Sequence, residues 1–478
     1  MANNSDRYEY FRFPLIPTLL SGIFLILMIR AYWEPTLYPS QIQSAEQSFL
    51  KNYSVWGPIL KYGFERLKSG ELPHWDPYLL CGHPYLIEYR TGLFQPLNLF
   101  FYLLNFSEAY QITILIGMFL LGISFIIWGR IWNVDFLALI PGAIALTFSG
   151  FVVWAQGSIT YLNGCVWLSL LMSSELIFLE ARNIRSAIVL LIIWCILILS
   201  GSIECILTGV VFMLIIPPLL NRLYKSPRSI RLSSWFTVVL ITILGIAITS
   251  FYWLPSLMWV ITEGHGNVLQ WLSLESAPSY PPFPTSIKDT LLQLVQPLTN
   301  SQTQTPPIFF LGLIPLTMLF PAFFDRESRK PALFQLLMIA LCICSYYIDP
   351  RIGKSLRTGG SIIFIQSILL LFSLGYNRTF LKGSDITSPY IWGSLLTLLV
   401  LSAIMIFYGN IWAKGILIVF VIVMLPLALL RFRWAKIVGC IIISLIIFLE
   451  LFYPLRSFLP VSYVSAINTI DIKTKSLL

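Results

Sequence analysis

The sequence predicts an all-α polytopic membrane protein, and two observations carry that prediction. Only 11% of residues are charged while 57% are hydrophobic, with a mean hydropathy of +0.79; a water-soluble domain carries about one-quarter charged residues. The apolar residues also fall in runs long enough to cross a bilayer core, cut at charged or Pro/Gly clusters. These runs lie near residues 13–31, 111–129, 135–154, 161–179, 186–202, 205–220, 235–261, 307–324, 331–347, 360–376, 389–408, 415–430 and 437–453, which makes about thirteen transmembrane helices. The aromatic share of 15% fits belts of Trp and Tyr at two membrane interfaces.

The first run follows the polar stretch MANNSDRYEYFRF. No small-residue cleavage site comes after it, so it reads as a start anchor. Arg7 and Arg12; Arg182 and Arg185; Arg222, Lys225, Arg228 and Arg231; Arg326, Arg329 and Lys330; Arg378 and Lys382; and Arg431, Arg433 and Lys436 all fall on one side if the helices alternate. Lys and Arg accumulate on cytoplasmic loops. The expectation is a multi-pass protein of the bacterial inner (plasma) membrane with a cytoplasmic N-terminus. The net charge of +9 is then a by-product of insertion, and no nucleic-acid partner is implied. Loops 32–110 and 262–306 and the tail after Pro454 face outward.

Cysteine and histidine add little. Cys165, Cys195, Cys205, Cys342, Cys344 and Cys440 sit in apolar runs and read as small packing residues. Cys81 has no loop partner, and the three histidines are scattered without metal-ligand spacing. No cofactor is demanded; a divalent cation is left open.

The first outer loop is the informative part. It is too polar to span a bilayer and contains SGELPHWDPYLLCGHPYLIEYRTGLFQPLN, Ser69 to Asn98. Before it, Trp56, Ile59, Leu60, Phe64 and Leu67 recur at helical spacing and Gly70 follows, so residues 56–70 predict an amphipathic helix on the interface. Glu65, Arg66 and Lys68 form its solvated face. Trp75 between Pro73 and Pro77 marks a rigid aromatic turn, readable as purely structural or as the lining of a site. Asp76, His83, Glu88 and Arg90 bring ionisable groups to the same stretch. Glu46 and Glu88 lie outside the amphipathic helix near apolar residues, where a carboxylate serves either as an ordinary surface acid or as a general base toward a hydroxyl. Glu204, in Gly201-Ser-Ile-Glu204, stands at the outer end of a helix, where it reaches the headgroup layer or belongs to a site. Glu175 and Glu450 read as packing or headgroup contacts.

One outer segment breaks the charge rule. Tyr347 to Arg357 reads as a short loop with Arg351, Lys354 and Arg357 beside the single acid Asp349. Ion pairing and snorkelling to headgroups explain it; so does a site for a lipid phosphate, because the Arg fork matches phosphate oxygens. Both readings stay open.

The order of motifs resembles the YfhO-type bacterial membrane proteins, within the wider superfamily of polytopic glycosyltransferases of the GT-C fold. The likeness rests on Leu67-Lys-Ser-Gly-Glu-Leu-Pro-His-Trp-Asp-Pro77, then Gly82-His-Pro, Gly92-Leu-Phe-Gln-Pro-Leu-Asn98, Phe148-Ser-Gly-Phe151, Gly201-Ser-Ile-Glu204, Leu254-Pro255 and Leu356-Arg357. It covers roughly residues 10 to 380. It implies a GT-C-like transmembrane module over 1–380 with outer loops 32–110 and 262–306, and further helices with a short outer tail over 381–478. It further implies transfer of a sugar from a polyprenyl-phosphate donor to an acceptor on the extracytoplasmic face, with an Asp or Glu of the first outer loop as base. Where the family has Gly-Asp, an ungapped match gives Leu50-Lys51, which leaves Glu46, through a local insertion, or Glu88 as the base. Arg351, Lys354 and Arg357 would hold the phosphate; Trp75, Asp76, His83, Arg90 and Glu204 would complete substrate binding. The expected partners are a polyprenyl-phosphate-linked sugar and membrane lipids. The alternative is a non-catalytic binder or transporter of a polyprenyl-linked lipid or cell-surface polymer; an ion-coupled transporter ranks last, since no repeated pair of broken helices is visible.

Overall fold

The computed structural model describes residues 57–78, 82–156, 158–223, 232–262, 293, 309–317, 319, 321–324, 326–347, 350–381 and 433–455. The predicted runs 13–31, 389–408 and 415–430, with Glu46, Cys81 and Asp349, lie outside them.

The described chain is a helical membrane bundle with one small hairpin. Helix α1 covers residues 57–68; strands β1 (Trp75–Asp76) and β2 (His83–Pro84) pair antiparallel, Trp75 opposite Pro84 and Asp76 opposite His83. Three 3-10 turns follow, Tyr85–Ile87, Tyr89–Thr91 and Pro96–Leu99. Then come α2 (Phe100–Leu103), α3 (Phe106–Ile131), α4 (Phe136–Thr147), α5 (Gly150–Ala155), α6 (Ile159–Ala181), α7 (Ile184–Leu199), α8 (Ile203–Leu223), α9 (Leu232–Ile248) and α10 (Ser250–Thr262). Short helices α11 (Leu313–Thr317) and α12 (Pro321–Phe324) precede α13 (Arg326–Cys344), α14 (Pro350–Tyr376) and α15 (Arg433–Leu455).

Among the described residues four stretches are long and apolar enough to cross a membrane: Glu108–Ile131, Ile159–Ala181, Ile203–Leu220 and Ser355–Thr379. A fifth is the bent pair formed by α9 and α10. The apolar window of α14 is wholly buried, so this helix is the axis on which α4, α8 and α13 pack.

Local chemistry sets the breaks. At the hairpin between α6 and α7, Arg182 takes a left-handed conformation (φ 51°) and Asn183 caps α7 by accepting from the Ser186 amide at 2.8 Å. The predicted span 135–154 is two helices: the chain turns at Phe148-Ser149, and Ser149 starts α5 by accepting from the Val152 amide at 3.4 Å. The predicted span 235–261 is bent by 71° at Thr249. There the Gly245 carbonyl keeps its bond from the Thr249 amide (3.1 Å) and also accepts from Thr249 Oγ1 (2.7 Å), while Trp253 Nε1 donates to the Ile246 carbonyl (3.0 Å) next to the break. Residues 307–324 hold two short helices instead of one span among those described.

The segment from Tyr347 to Arg357 also differs from expectation. It is helix from Pro350 onward, because proline is pre-set for the first helical position and needs no amide partner there. Arg351, Lys354 and Arg357 therefore stand in the opening turns of the most buried helix, spaced by three residues.

Gln156 and Ser158, residues 200–202 and the turn Ser345–Tyr347 gather at one end of the bundle. Tyr161 Oη donates to the Thr358 carbonyl at 2.5 Å, and a Cβ on Gly92 would meet the Ser200 carbonyl at 2.6 Å. At the opposite end Trp132 packs on Phe334, ring centroids 4.8 Å apart. Residues 82–98 dock on the first of these ends.

Candidate functional site

The first outer loop has two layers. The upper layer is α1 and the hairpin. Ile59, Leu60 and Phe64 are buried, and Phe64 stacks on Phe101 with centroids 4.4 Å apart. The apolar stripe predicted for a membrane interface therefore faces protein. Glu65, Arg66 and Lys68 are exposed, as a solvated face should be. Arg66 pairs with Glu71 and its Nε donates to Tyr62 Oη at 3.2 Å; the hydrogen bond to Tyr62, with Glu71 adding its charge, raises the guanidinium pKa further. Tyr62 in turn donates to the Trp75 carbonyl at 2.6 Å, tying the hairpin to α1.

The Trp75 ring is 53% exposed, and a Cβ on Gly82 would lie 2.6 Å from it, so only glycine lets β2 pass beneath the indole. Asp76 is buried and accepts from the Tyr78 amide at 2.9 Å, closing the turn after β1. His83 is placed by its strand alone, opposite Asp76.

The lower layer, Tyr85 to Asn98, is locked into the helices. Gly92 takes φ 58° and Gly201 φ 77°; they face each other so closely that a Cβ on Gly201 would sit 2.5 Å from the Tyr89 carbonyl and 3.0 Å from the Gly92 amide. Only residues without a Cβ allow this approach in this conformation. Asn98 Nδ2 donates to the Gly92 carbonyl (2.6 Å), Gln95 Nε2 to Asn98 Oδ1 (2.8 Å) and Trp167 Nε1 to Gln95 Oε1 (3.3 Å). The motif Gly92 to Asn98 thus forms a latch on α6. Tyr89 Oη donates to the Ile198 carbonyl, and Tyr252 Oη to the Tyr89 carbonyl at 2.7 Å.

Glu88 lies between the first two 3-10 turns. Its carbonyl accepts from the amide and hydroxyl of Thr91, at 3.2 and 3.1 Å, and its side chain is half-buried. Burial first, then Tyr252, Asp76 and Glu88, push the Tyr85 phenol well above its usual pKa, which sets both acids within electrostatic reach of Tyr85. Arg90, also half-buried, sits on the next turn over Gly201.

Below Gly201, Glu204 occupies the first turn of α8 and is buried. Sequence reasoning allowed it to reach the headgroup layer; instead Ser202 Oγ donates to its Oε2 at 3.3 Å, and Gly359 of α14 is pressed against its backbone. Arg357, half-buried, is two residues before Gly359. The side chains of Arg351 and Lys354 lie outside the described residues. Glu204, Arg357, Arg90 and Glu88 accordingly share one end of the bundle, across 269 residues of sequence from Glu88 to Arg357.

For two other acids burial selects the packing alternative over the headgroup one. Glu450 is buried and accepts from the Ile314 amide at 3.2 Å, so it anchors α11. Glu175 is fully buried, and neither carboxylate oxygen has a hydrogen-bond partner among the described residues. Residues that sequence reasoning did not single out include Tyr89, Tyr252, Ser256 and Tyr161; isolated Tyr and Ser in apolar helices gave no signal. Among the described residues no group of three His, Cys, Asp or Glu side chains is placed to hold a metal ion.

No protein-family profile matches the chain, and no curated protein matches it. Among solved structures it is similar to the crystal structure of ArnT from Cupriavidus metallidurans bound to undecaprenyl phosphate. That similarity has 13% identity, covers 94% of this chain and 77% of that one, and has a TM-score of 0.48.

Proposed function

We propose that the protein is a GT-C-like membrane glycosyltransferase that moves a sugar from a polyprenyl-phosphate donor to an acceptor hydroxyl at the extracytoplasmic face. The observation that carries this reading is the joining of four things at one end of a lipid-embedded bundle: the cationic opening turns of α14, the buried carboxylate of Glu204, the locked segment with Glu88 and Arg90, and the exposed indole of Trp75.

The chemistry follows from electrostatics. A helix N-terminus carries partial positive charge, and cations at 351, 354 and 357 add to it, which makes this end of α14 attractive to an anion. A phosphate on an isoprenoid reaches the site from the bilayer while its tail stays in lipid. Arg357 and Arg90, with Arg351 and Lys354, hold the phosphate and offset the charge that grows on it as the glycosidic bond breaks. Glu88 takes the proton of the acceptor hydroxyl, and Glu46 is the alternative base. Trp75 supplies a flat apolar surface for a sugar ring, Asp76 and His83 line the same turn, and Glu204 orients Arg357 or Arg90 from below.

The test uses the full chain in nanodiscs with a radiolabelled polyprenyl-phosphate sugar. E88Q is expected to bind the lipid and slow transfer by about 100-fold or more; R357A is expected to bind the lipid roughly 10- to 150-fold more weakly. Lipid binding without transfer in the wild type would favour a non-catalytic binder, and binding unaffected by R357A together with R351A would overturn the site.

A further inference from the structure

Helix α10 grips the backbone of the segment that carries Glu88 and Arg90. Ser256 Oγ of α10 donates to the Ile87 carbonyl at 2.6 Å. One helical turn earlier, Tyr252 Oη donates to the Tyr89 carbonyl at 2.7 Å and accepts from the Leu93 amide at 3.3 Å. These bonds grip the backbone immediately before and after Glu88 and on both sides of Arg90. The Tyr252 ring also packs on Tyr89 and Phe94, with centroids 4.8 and 5.5 Å away.

The gripping helix is set apart from the bundle by the 71° bend at Thr249. Its other face is apolar and open: Phe251, Leu254, Met258 and Ile261 are 60, 41, 50 and 57% exposed, at helical spacing. One side of α10 thus holds the loop while the other faces outward from the bundle. Two residues four apart on a helix share a face, which is what lets a single helix take hold of the loop at three points.

We infer that Tyr252 and Ser256 are positioning residues, which fix the backbone of residues 87–93 so that Glu88 points at the reacting headgroup. This rests on the reading of Glu88 given above. Loss of one grip lets Glu88 swing, and a displacement of about 1 Å at a base lowers turnover by roughly 100-fold.

The experiment compares wild type, Y252F, S256A and S256T, each alone and with E88Q, as full chains in nanodiscs with a polyprenyl-phosphate sugar. Y252F keeps the ring packing and removes two hydrogen bonds. Faster amide exchange over residues 87–93 is expected, with kcat lowered roughly 10- to 100-fold and KM for the lipid nearly unchanged. S256A should show a smaller loss that S256T restores. In the E88Q background the further loss from Y252F should shrink to less than about 2-fold, because both changes act through one group. Should Y252F fail to fold, the S256A and S256T pair decides. Equal loss in both backgrounds, or unchanged exchange and kcat in Y252F and S256A, overturns the inference. Absence of any transfer by the wild type overturns the functional reading and this inference together, whereas transfer insensitive to Y252F and S256A overturns the inference alone.

Discussion

The two layers of the first outer loop meet opposite fates. The upper layer, residues 57–78, packs its apolar stripe on Phe101 and turns Glu65, Arg66, Lys68 and Glu71 to water, so that Arg66 finds Glu71 and Tyr62 at the surface. The lower layer, Tyr85 to Asn98, is bonded to α6, α7 and α10 through Trp167, Ile198, Tyr252 and Ser256. Its two charged residues, Glu88 and Arg90, are half-buried over the start of α8. A charge becomes useful for chemistry when its backbone is fixed and its solvation reduced. Glu88 and Arg90 meet both conditions; in the upper layer Asp76 does too, but its carboxylate is engaged by the Tyr78 amide.

That contrast can be broken most directly at Glu88. E88Q should lower transfer by about 100- to 10,000-fold, the usual contribution of a general base, with lipid binding retained; equal activity would move the base elsewhere. R357A comes next. Losing one charged hydrogen bond, about 1.5–3 kcal/mol, should weaken binding of polyprenyl phosphate roughly 10- to 150-fold, read by equilibrium binding in nanodiscs. G201A tests the junction itself. A Cβ at φ 77° would push against the Tyr89 carbonyl, so a loss of about 1–3 kcal/mol is expected, seen as a lower melting temperature and faster exchange across residues 89–92. The smallest effect belongs to the upper layer: R66A and E71A remove a solvated pair, and transfer and melting temperature should both stay at wild-type values. A large loss from either would erase the distinction between the layers.

Much of this was legible in the chain. Hydropathy located the helices at 159–181, 184–199 and 203–223 to within a few residues, since long apolar runs leave little choice of structure. The solvated face of α1 followed from the spacing of its apolar residues. Proline and turn chemistry were harder to read. The break at Phe148-Ser149 and the bend at Thr249 occur inside continuous apolar stretches, where capping side chains rather than hydropathy decide. The Tyr347–Arg357 segment looked like a loop because its charges concealed a helix beginning at Pro350. The candidate site was legible as separate residues, Glu88, Arg90, Glu204 and Arg357. Their sharing one end of the bundle was not, because it depends on long-range approaches such as Gly92 to Ser200 and Gly359 to Glu204, which no local pattern encodes. Tyr252 and Ser256 were hidden for the same reason.

The account stands on one spatial claim, that an anionic isoprenoid headgroup binds between the opening turns of α14 and the locked segment around Arg90. An electron cryo-microscopy map of the full chain in nanodiscs with added polyprenyl phosphate tests it. The predicted result is phosphate density within hydrogen-bond reach of Arg357 and Arg90, above Glu204. Phosphate density at the Trp132–Phe334 end of the bundle, or lipid bound with no contact to either arginine, would contradict it.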